Sequence, residues 1–321
     1  MLAKAVVLSL SMMSAELPEL QVSPNVTVSG VSSGGFFAVQ MHLAHSDIVQ
    51  GVGVIAGGPW NCSQGSQATA QIECMMNPAK IDVEKLVKQA NVDAGRGALA
   101  PLDNLDNDSV YIFNSPKDDV VKPDALGKLE EFYASIASGV NIKTESSIAA
   151  AHGFPTIDFG NDCEKKGVPW LQRCSFDAAG EVFDHLYKSL NLRTTNLTST
   201  VNRFSQEPYR KGADLMPEGL IYIPKACSDR VRRCRLHVAF HGCQMNLDAV
   251  GEVFGLHAGY NEWAEANDII VLYPQAAKSA KNPMACWDWF GATGVDYANR
   301  RGPQIRAIRA MIDRLMSAPA N

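Results

Sequence analysis

The string Gly30-Val31-Ser32-Ser33-Gly34-Gly35 limits the possible folds of this chain more than any other stretch. Before it, Asn25-Val26-Thr27-Val28-Ser29 reads as a strand. After it, Gly34 to about Ser46 reads as a helix with Phe37, Val39, Met41 and Leu43 as its apolar surface. A chain that leaves a strand and enters a helix within so few residues turns sharply, and only small residues fit around such a turn. Ser32 is the centre of a Gly-x-Ser-x-Gly pattern there, in the frame that holds a serine hydroxyl above a sheet edge. A glycine-rich turn capped by serine has the same composition; the strand-turn-helix context is what favours a nucleophile.

The rest of the chain alternates in the same way. Val52–Ala56, Ser109–Phe113, Leu220–Ile223, Leu236–Phe240 and Ile269–Tyr273 read as strands, and 141–150 as a strand or extended run. Helices are expected over 124–137, 178–190 and 304–316, with another containing Trp263 and ending near Asn267. Residues 60–105 read as an irregular or helical insertion. Strands separated by helices argue an α/β fold, a mostly parallel sheet with helices on both faces. With 46% hydrophobic and 20% charged residues the chain has the apolar content for a packed core. No repeat or linker divides it, so one catalytic domain is expected over 16–321.

Eight cysteines fall largely into near pairs, Cys62/Cys74, Cys163/Cys174 and Cys227/Cys234, which leaves Cys243 with Cys286. None has the Cys-x-x-Cys spacing of zinc or redox sites, so four disulfides are expected rather than metal ligands. Eight buried thiols are the alternative. Disulfides imply an oxidising compartment. Lys4 followed by the apolar run to Ala15 reads as a secretory signal over 1–15, so the chain is expected to be secreted or periplasmic. The net charge of −5 and the absence of a basic run beyond Arg230–Arg235 argue against nucleic acid as a partner. No apolar run reaches the length of a membrane span. Sequons occur at Asn25, Asn61, Asn107 and Asn196.

A serine nucleophile needs a base and an acid to orient it. The strand ending at Phe113 runs into Asn114-Ser115-Pro116-Lys117-Asp118-Asp119-Val120-Val121, so Asp118 is the candidate acid, with Asp119 its close competitor. Of seven histidines, His152 stands on a loop bounded by glycine and proline after an expected strand, and it is the candidate base. His42, His45, His185 and His257 fall in expected helices and His237 in a strand, where structural roles are expected. The order Ser–Asp–His is that of α/β-hydrolases.

A second oxyanion donor ordinarily comes from a His-Gly loop upstream of the nucleophile. Here Phe240-His241-Gly242-Cys243 comes about 210 residues after Ser32. The segment 220–316 contains the elements that ordinarily precede a nucleophile strand, so the chain reads as a circularly permuted α/β-hydrolase fold, a rearrangement that surface termini tolerate. The amides of Ser33 and Cys243 are then the expected oxyanion donors, and the imidazole of His241 is structural.

These strings resemble those of the single-domain, circularly permuted poly(3-hydroxybutyrate) depolymerases. The resemblance covers nearly all of the mature chain. It is carried by Ser29 to Gly35, Ala56-Gly57-Gly58-Pro59, His152 to Thr156, Phe240 to Cys243, Tyr273-Pro274-Gln275-Ala276 and Asn282-Pro283-Met284-Ala285-Cys286-Trp287-Asp288-Trp289. It implies a Ser32–Asp118–His152 triad, an oxyanion hole at Ser33 and Cys243, and no metal or cofactor. Ser115 replaces the glycine usual in related hydrolases, which leaves Asp118 and Asp119 open.

A bridge from Cys243 to Cys286 would tie the oxyanion loop to the tryptophan loop, with Trp287 or Trp289 walling a cleft for a polyester chain. Core positions for both indoles are the alternative. The expected partner is a solid or oligomeric polyester, met by a monomer through this domain's own apolar surface. The competing substrates are 3-hydroxybutyrate oligomers and feruloyl or acetyl esters of plant polysaccharide. A non-enzymatic surface module on a hydrolase scaffold is a third reading.

Overall fold

The computed structural model describes residues 14–228 and 232–317. The expected leader lies outside the described residues except for Ser14 and Ala15. Ala15 pairs with Phe204 in an isolated bridge.

The strands are β1 (Val22–Val31), β2 (Val49–Ile55), β3 (Ser109–Phe113), β4 (Asn141–Glu145), β5 (Phe154–Thr156), β6 (Asn161–Asp162), β7 (Leu171–Arg173), β8 (Val201–Ser205), β9 (Glu218–Tyr222), β10 (Cys234–Phe240) and β11 (Ile269–Tyr273). The main sheet has the order β4-β3-β2-β1-β10-β11-β9-β8, and a small second sheet has the order β5-β7-β6. From β4 to β11 every neighbour is parallel. Only β9 runs against its partners β11 and β8. β1, which leads into Ser32, therefore lies directly beside β10, which leads into His241, although the two are far apart in sequence.

Alternation along the strands sorts the core. Val26, Val28, Val52, Val54, Val110, Ile112, Leu236, Val238, Ile270 and Leu272 point to one face. That face is covered by helices Ser33–Ala44 (α1), Val83–Gly95, Asp124–Ile136 and Pro303–Leu315. Val31, Ile55, Tyr111, Phe113, Ala239, Val271 and Tyr273 point to the other, under helices Ala178–Leu186 and Tyr260–Ala266. The α/β-hydrolase fold, with helices on both faces of a mostly parallel sheet, is thus built by period-two burial. α1 is buried along its whole length, so its sequence shows little helical periodicity. The four expected disulfides are all formed: Cys62–Cys74, Cys163–Cys174, Cys227–Cys234 and Cys243–Cys286. Residues 60–105 contain a π-helical turn Ala70–Met76 and the helix Val83–Gly95, so of the two readings of this insertion the helical one holds. β8 and the small sheet were not expected from the sequence. Their strands are short and lack a run of β-branched residues.

The second face is not wholly apolar. Thr27 and Ser29 of β1 bracket His237 of β10: Thr27 Oγ1 lies 2.7 Å from Nδ1 and Ser29 Oγ 2.7 Å from Nε2. Tyr187 OH completes Thr27 at 2.5 Å, and Tyr260 OH completes Ser29 at 2.6 Å. Burial pushes the His237 ring down to about 3, so it is neutral, and hydroxyls that both donate and accept satisfy both of its nitrogens. His241, also buried, is pushed down to about 4.

A depressed histidine pKa makes stability fall as pH drops from 6.5 toward the folded value, because the unfolded chain binds protons that the folded rings refuse. At pH 5 the two buried rings together cost about 4 kcal/mol relative to pH 7, about 2 kcal/mol each. Urea unfolding at the two pH values measures this; an unchanged midpoint would show that the rings are charged in the folded protein.

Candidate active site

Ser32 stands at the junction of β1 and α1 with φ 56° and ψ −121°, a backbone region that a non-glycine residue enters only under constraint. The constraint is visible. A Cβ on Gly30 would lie 2.2 Å from the carbonyl oxygen of Gly34, and one on Gly34 would lie 2.3 Å from the carbonyl oxygen of Phe240. The glycines around Ser32 are thus required by contact across the turn and by the approach of α1 to the end of β10. The Ser32 amide donates to the carbonyl of Ile55 on β2 at 2.8 Å, fixing the turn from the other side.

His152 Nε2 lies 2.9 Å from Ser32 Oγ, and His152 Nδ1 lies 2.8 Å from Asp118 Oδ2. The carboxylate accepts the Nδ1 proton, which leaves Nε2 as the acceptor for the serine hydroxyl. Asp118 and His152 are both buried. The other Asp118 oxygen, Oδ1, accepts from the amides of Val120 and Val121 at 2.9 Å each. Asp119 faces outward and pairs with Lys166 at 2.6 Å; that hydrogen bond holds its carboxyl below the usual range. The geometry thus separates the two aspartates. Ser115, at the place of the expected glycine, ties the aspartate loop to the histidine loop. Its hydroxyl donates to the carbonyl of Ala150 at 2.6 Å and accepts from the amide of the same residue at 2.9 Å. Behind His152, the Gln172 side chain donates to its carbonyl at 2.9 Å.

Ser33 opens α1, where first-turn amides have no partner within the helix. Its hydroxyl accepts from the Trp287 amide at 3.3 Å. Cys243 follows the His-Gly pair. His241 Nε2 accepts from the Ala276 amide at 3.1 Å, so the ring proton is on Nδ1, which donates to the carbonyl of Gly242 at 2.7 Å. This imidazole shapes its loop and does not face Ser32. The Cys243–Cys286 bridge and a 2.8 Å bond from the Gln244 amide to the Met284 carbonyl clamp the His241–Cys243 loop to the tryptophan loop.

Two apolar lobes meet over Ser32. One, of about 160 Å³, includes His152, Val120 and Trp170; the other, of about 120 Å³, includes Phe36, Trp289 and Phe290. Ser32, Cys243, Met75 and Met284 border both. A larger hollow of about 480 Å³ near Lys85 and Val295 has a lining of mixed polar and apolar character and touches the cleft only through Lys281.

The two tryptophans part company. Trp289 stacks on Phe36 with ring centroids 4.0 Å apart and walls the second lobe. Trp287 is fully buried between Phe37 and Phe240 and borders neither lobe, which corrects its assignment to the cleft wall. Sequence reasoning missed Trp170, whose ring meets His152 edge-on at 6.1 Å, and the methionines of the cleft. An aromatic residue inside the Cys163–Cys174 loop, downstream of His152, was the available signal for Trp170.

Asp288, between the two tryptophans, is buried and accepts from the amides of Phe290, Gly291, Ala292 and Thr293 and from the Thr293 hydroxyl. The loop that carries Trp289 and Phe290 is wound around this carboxylate.

Comparison with known proteins places these features among relatives. The chain is 40% identical over 306 residues to a poly(3-hydroxybutyrate) depolymerase of Delftia acidovorans, covering 94% of this chain and 62% of that one. It spans less than two thirds of that relative's length. It is 33% identical over 320 residues to a polyhydroxybutyrate depolymerase of Talaromyces funiculosus, covering 94% of this chain and 92% of that one. Among solved structures, a PHB depolymerase from Penicillium funiculosum matches with a TM-score of 0.86 and 32% identity, over 94% of this chain and 99% of that one. A PHB depolymerase variant complexed with an R3HB trimer matches with a TM-score of 0.87, at the same identity and coverage. No family model matches the chain.

Removing the Asp288 carboxylate strands four amides and a hydroxyl. Asp288→Ala is expected to lower the unfolding free energy by about 3 kcal/mol or more. Urea unfolding of the variant measures it, and a loss under about 1 kcal/mol would show that the loop does not depend on the carboxylate.

Proposed function

The chain belongs to the poly(3-hydroxybutyrate) depolymerase family, and from that premise we propose that it is a secreted serine esterase that hydrolyses poly(3-hydroxybutyrate) or related short-chain polyhydroxyalkanoates. The observation that carries the reading is the hydrogen-bonded line Ser32–His152–Asp118 opening between two apolar lobes.

His152 takes the Ser32 proton as Ser32 Oγ attacks an ester carbonyl. The oxyanion is held by the amides of Ser33 and Cys243, each worth about 3 kcal/mol in the transition state. Asp118 holds the imidazole and stabilises its cation. His152 then protonates the departing alkoxide, the acyl group stays on Ser32, and water activated by the same imidazole releases it. Because the leaving oxygen takes its proton from Nε2, the alcohol half of the ester belongs in the lobe that His152 borders, and the acyl half lies against Phe36 and Trp289. Trp170 and Val120 make the alcohol lobe apolar, which suits a polyester unit better than the sugar of a plant ester.

The proposal includes a catalytic domain over 16–321 acting as a monomer, with a leader over 1–15 removed on export. Four disulfides suit an oxidising compartment, and among the described residues no helix is long and apolar enough to cross a membrane. It also includes the permuted element order. Support comes from the strand order, in which β8 to β11 lead up to β1. The Leu20 amide also donates to the Leu315 carbonyl at 2.9 Å, at the end of the last helix.

Turbidity of a poly(3-hydroxybutyrate) granule suspension tests the substrate. Wild type is expected to clear it and Ser32→Ala to leave it turbid while remaining folded. No clearing, with p-nitrophenyl butyrate still cleaved, would move the substrate to soluble or plant-derived esters. Measured on the aryl ester, Asp118→Asn is expected to lower kcat by about 10⁴-fold and Asp119→Asn to leave it within a few-fold. Equal losses would refute the assignment of the acid.

A further inference from the structure

We propose that Met284 and Met75 make the cleft sensitive to oxidation: conversion of these thioethers to sulfoxides hinders apolar esters while leaving the triad intact. The inference rests on the reading of Ser32 as the nucleophile.

Met284 and Met75 are, with Ser32 and Cys243, the residues that border both lobes, so both sulfur side chains stand where the scissile ester must lie. Met284 is 44% exposed and held in place by its backbone bond to Gln244 and by the nearby Cys243–Cys286 bridge. Met75 is half-buried and follows Cys74, whose bridge to Cys62 fixes the π-helical turn. All eight cysteines are in disulfides, so no thiol competes for an oxidant and the exposed thioethers are the softest groups available. Met245, the third methionine of the cleft, is 2% exposed, and its sulfur accepts from the Gly242 amide at 3.2 Å; it is shielded. Met76 is a natural control, since it is 53% exposed but borders neither lobe.

The oxidant is a hydroperoxide. The methionine sulfur attacks one peroxide oxygen, and the S–O bond forms as the O–O bond breaks. The departing hydroxide takes a proton to become water. Sulfur loses two electrons and the peroxide gains them, so thioether and hydrogen peroxide give sulfoxide and water. The sulfoxide oxygen is a strong acceptor that holds water, and an apolar ester that displaces this water leaves the oxygen unpartnered.

The full chain is treated with dilute hydrogen peroxide. It is then assayed on p-nitrophenyl butyrate, labelled to saturation with a fluorophosphonate and mapped by peptide mass. As the Met284 and Met75 peptides gain oxygen, kcat/KM is expected to fall about tenfold, chiefly through KM. Labelling should persist, and a methionine sulfoxide reductase should restore activity. Each variant is compared with its own untreated activity: Met76→Leu should lose activity at the wild-type rate, and Met75→Leu/Met284→Leu much more slowly. Equal inactivation of the double variant, or full wild-type activity with both peptides oxidised, overturns the inference. An untreated protein that takes no fluorophosphonate overturns the nucleophile reading instead.

Discussion

The arrangement around Ser32 depends on one close approach, that of Gly34 to the carbonyls of Phe240 and His241. A side chain at that position cannot be accommodated, because what it would meet is backbone. With none there, the start of α1 and the end of β10 come together, and two loops far apart in the chain form one site. The same contact accounts for the strained backbone of Ser32. A less sharp turn would lift α1 away from β10 and separate Ser32 from the Cys243 loop. The hydrogen bond from the Ser32 amide to Ile55 on one side and the packing of α1 on the other hold the turn.

Beneath this junction the sheet makes a second, quieter demand. β1 and β10 must keep register, since Ser29 pairs with Ala239 and Gly30 with Phe240 just before their loops begin. Where β1 and β10 pair they are buried on both faces, so apolar packing alone distinguishes one register from another only weakly. The Thr27–His237–Ser29 bracket specifies it strongly, because a slip by one residue would leave a buried imidazole and two hydroxyls without partners. A neutral histidine is suited to this place. It gives one donor and one acceptor in opposite directions and carries no charge that the core must compensate.

Much of this was legible in the sequence. Ser32, Asp118 and His152 each follow a strand or extended run and are bounded by small or turn-forming residues, and their order in the chain limited the choice. Three cysteine pairs followed from proximity in the chain, and the fourth, Cys243–Cys286, was what remained. The choice between Asp118 and Asp119 was not legible, because adjacent loop residues differ only in direction. That direction is set by Val120 and Val121, whose amides turn back onto Asp118, and by Lys166, about 50 residues away in the chain, which draws Asp119 outward. β8 and the small sheet were missed because their pairing is supplied by tertiary contacts rather than by an apolar pattern.

The tryptophan pair shows the same limit more sharply. Trp287 and Trp289 are two residues apart and chemically identical, and outside a regular element no period assigns one to the core and the other to the cleft. The structure resolves them through their neighbours. The Ser33 hydroxyl takes the Trp287 amide and draws that indole down beside Phe37. Asp288 then gathers the four amides from Phe290 to Thr293, so the chain turns around a buried carboxyl group and Trp289 lies flat against Phe36. Because Phe36 belongs to the same helix that begins at Ser33, the turn at Ser32 and the cleft wall share one rigid element. The wall's position relative to Ser32 is therefore set by α1 rather than by the mobility of a loop.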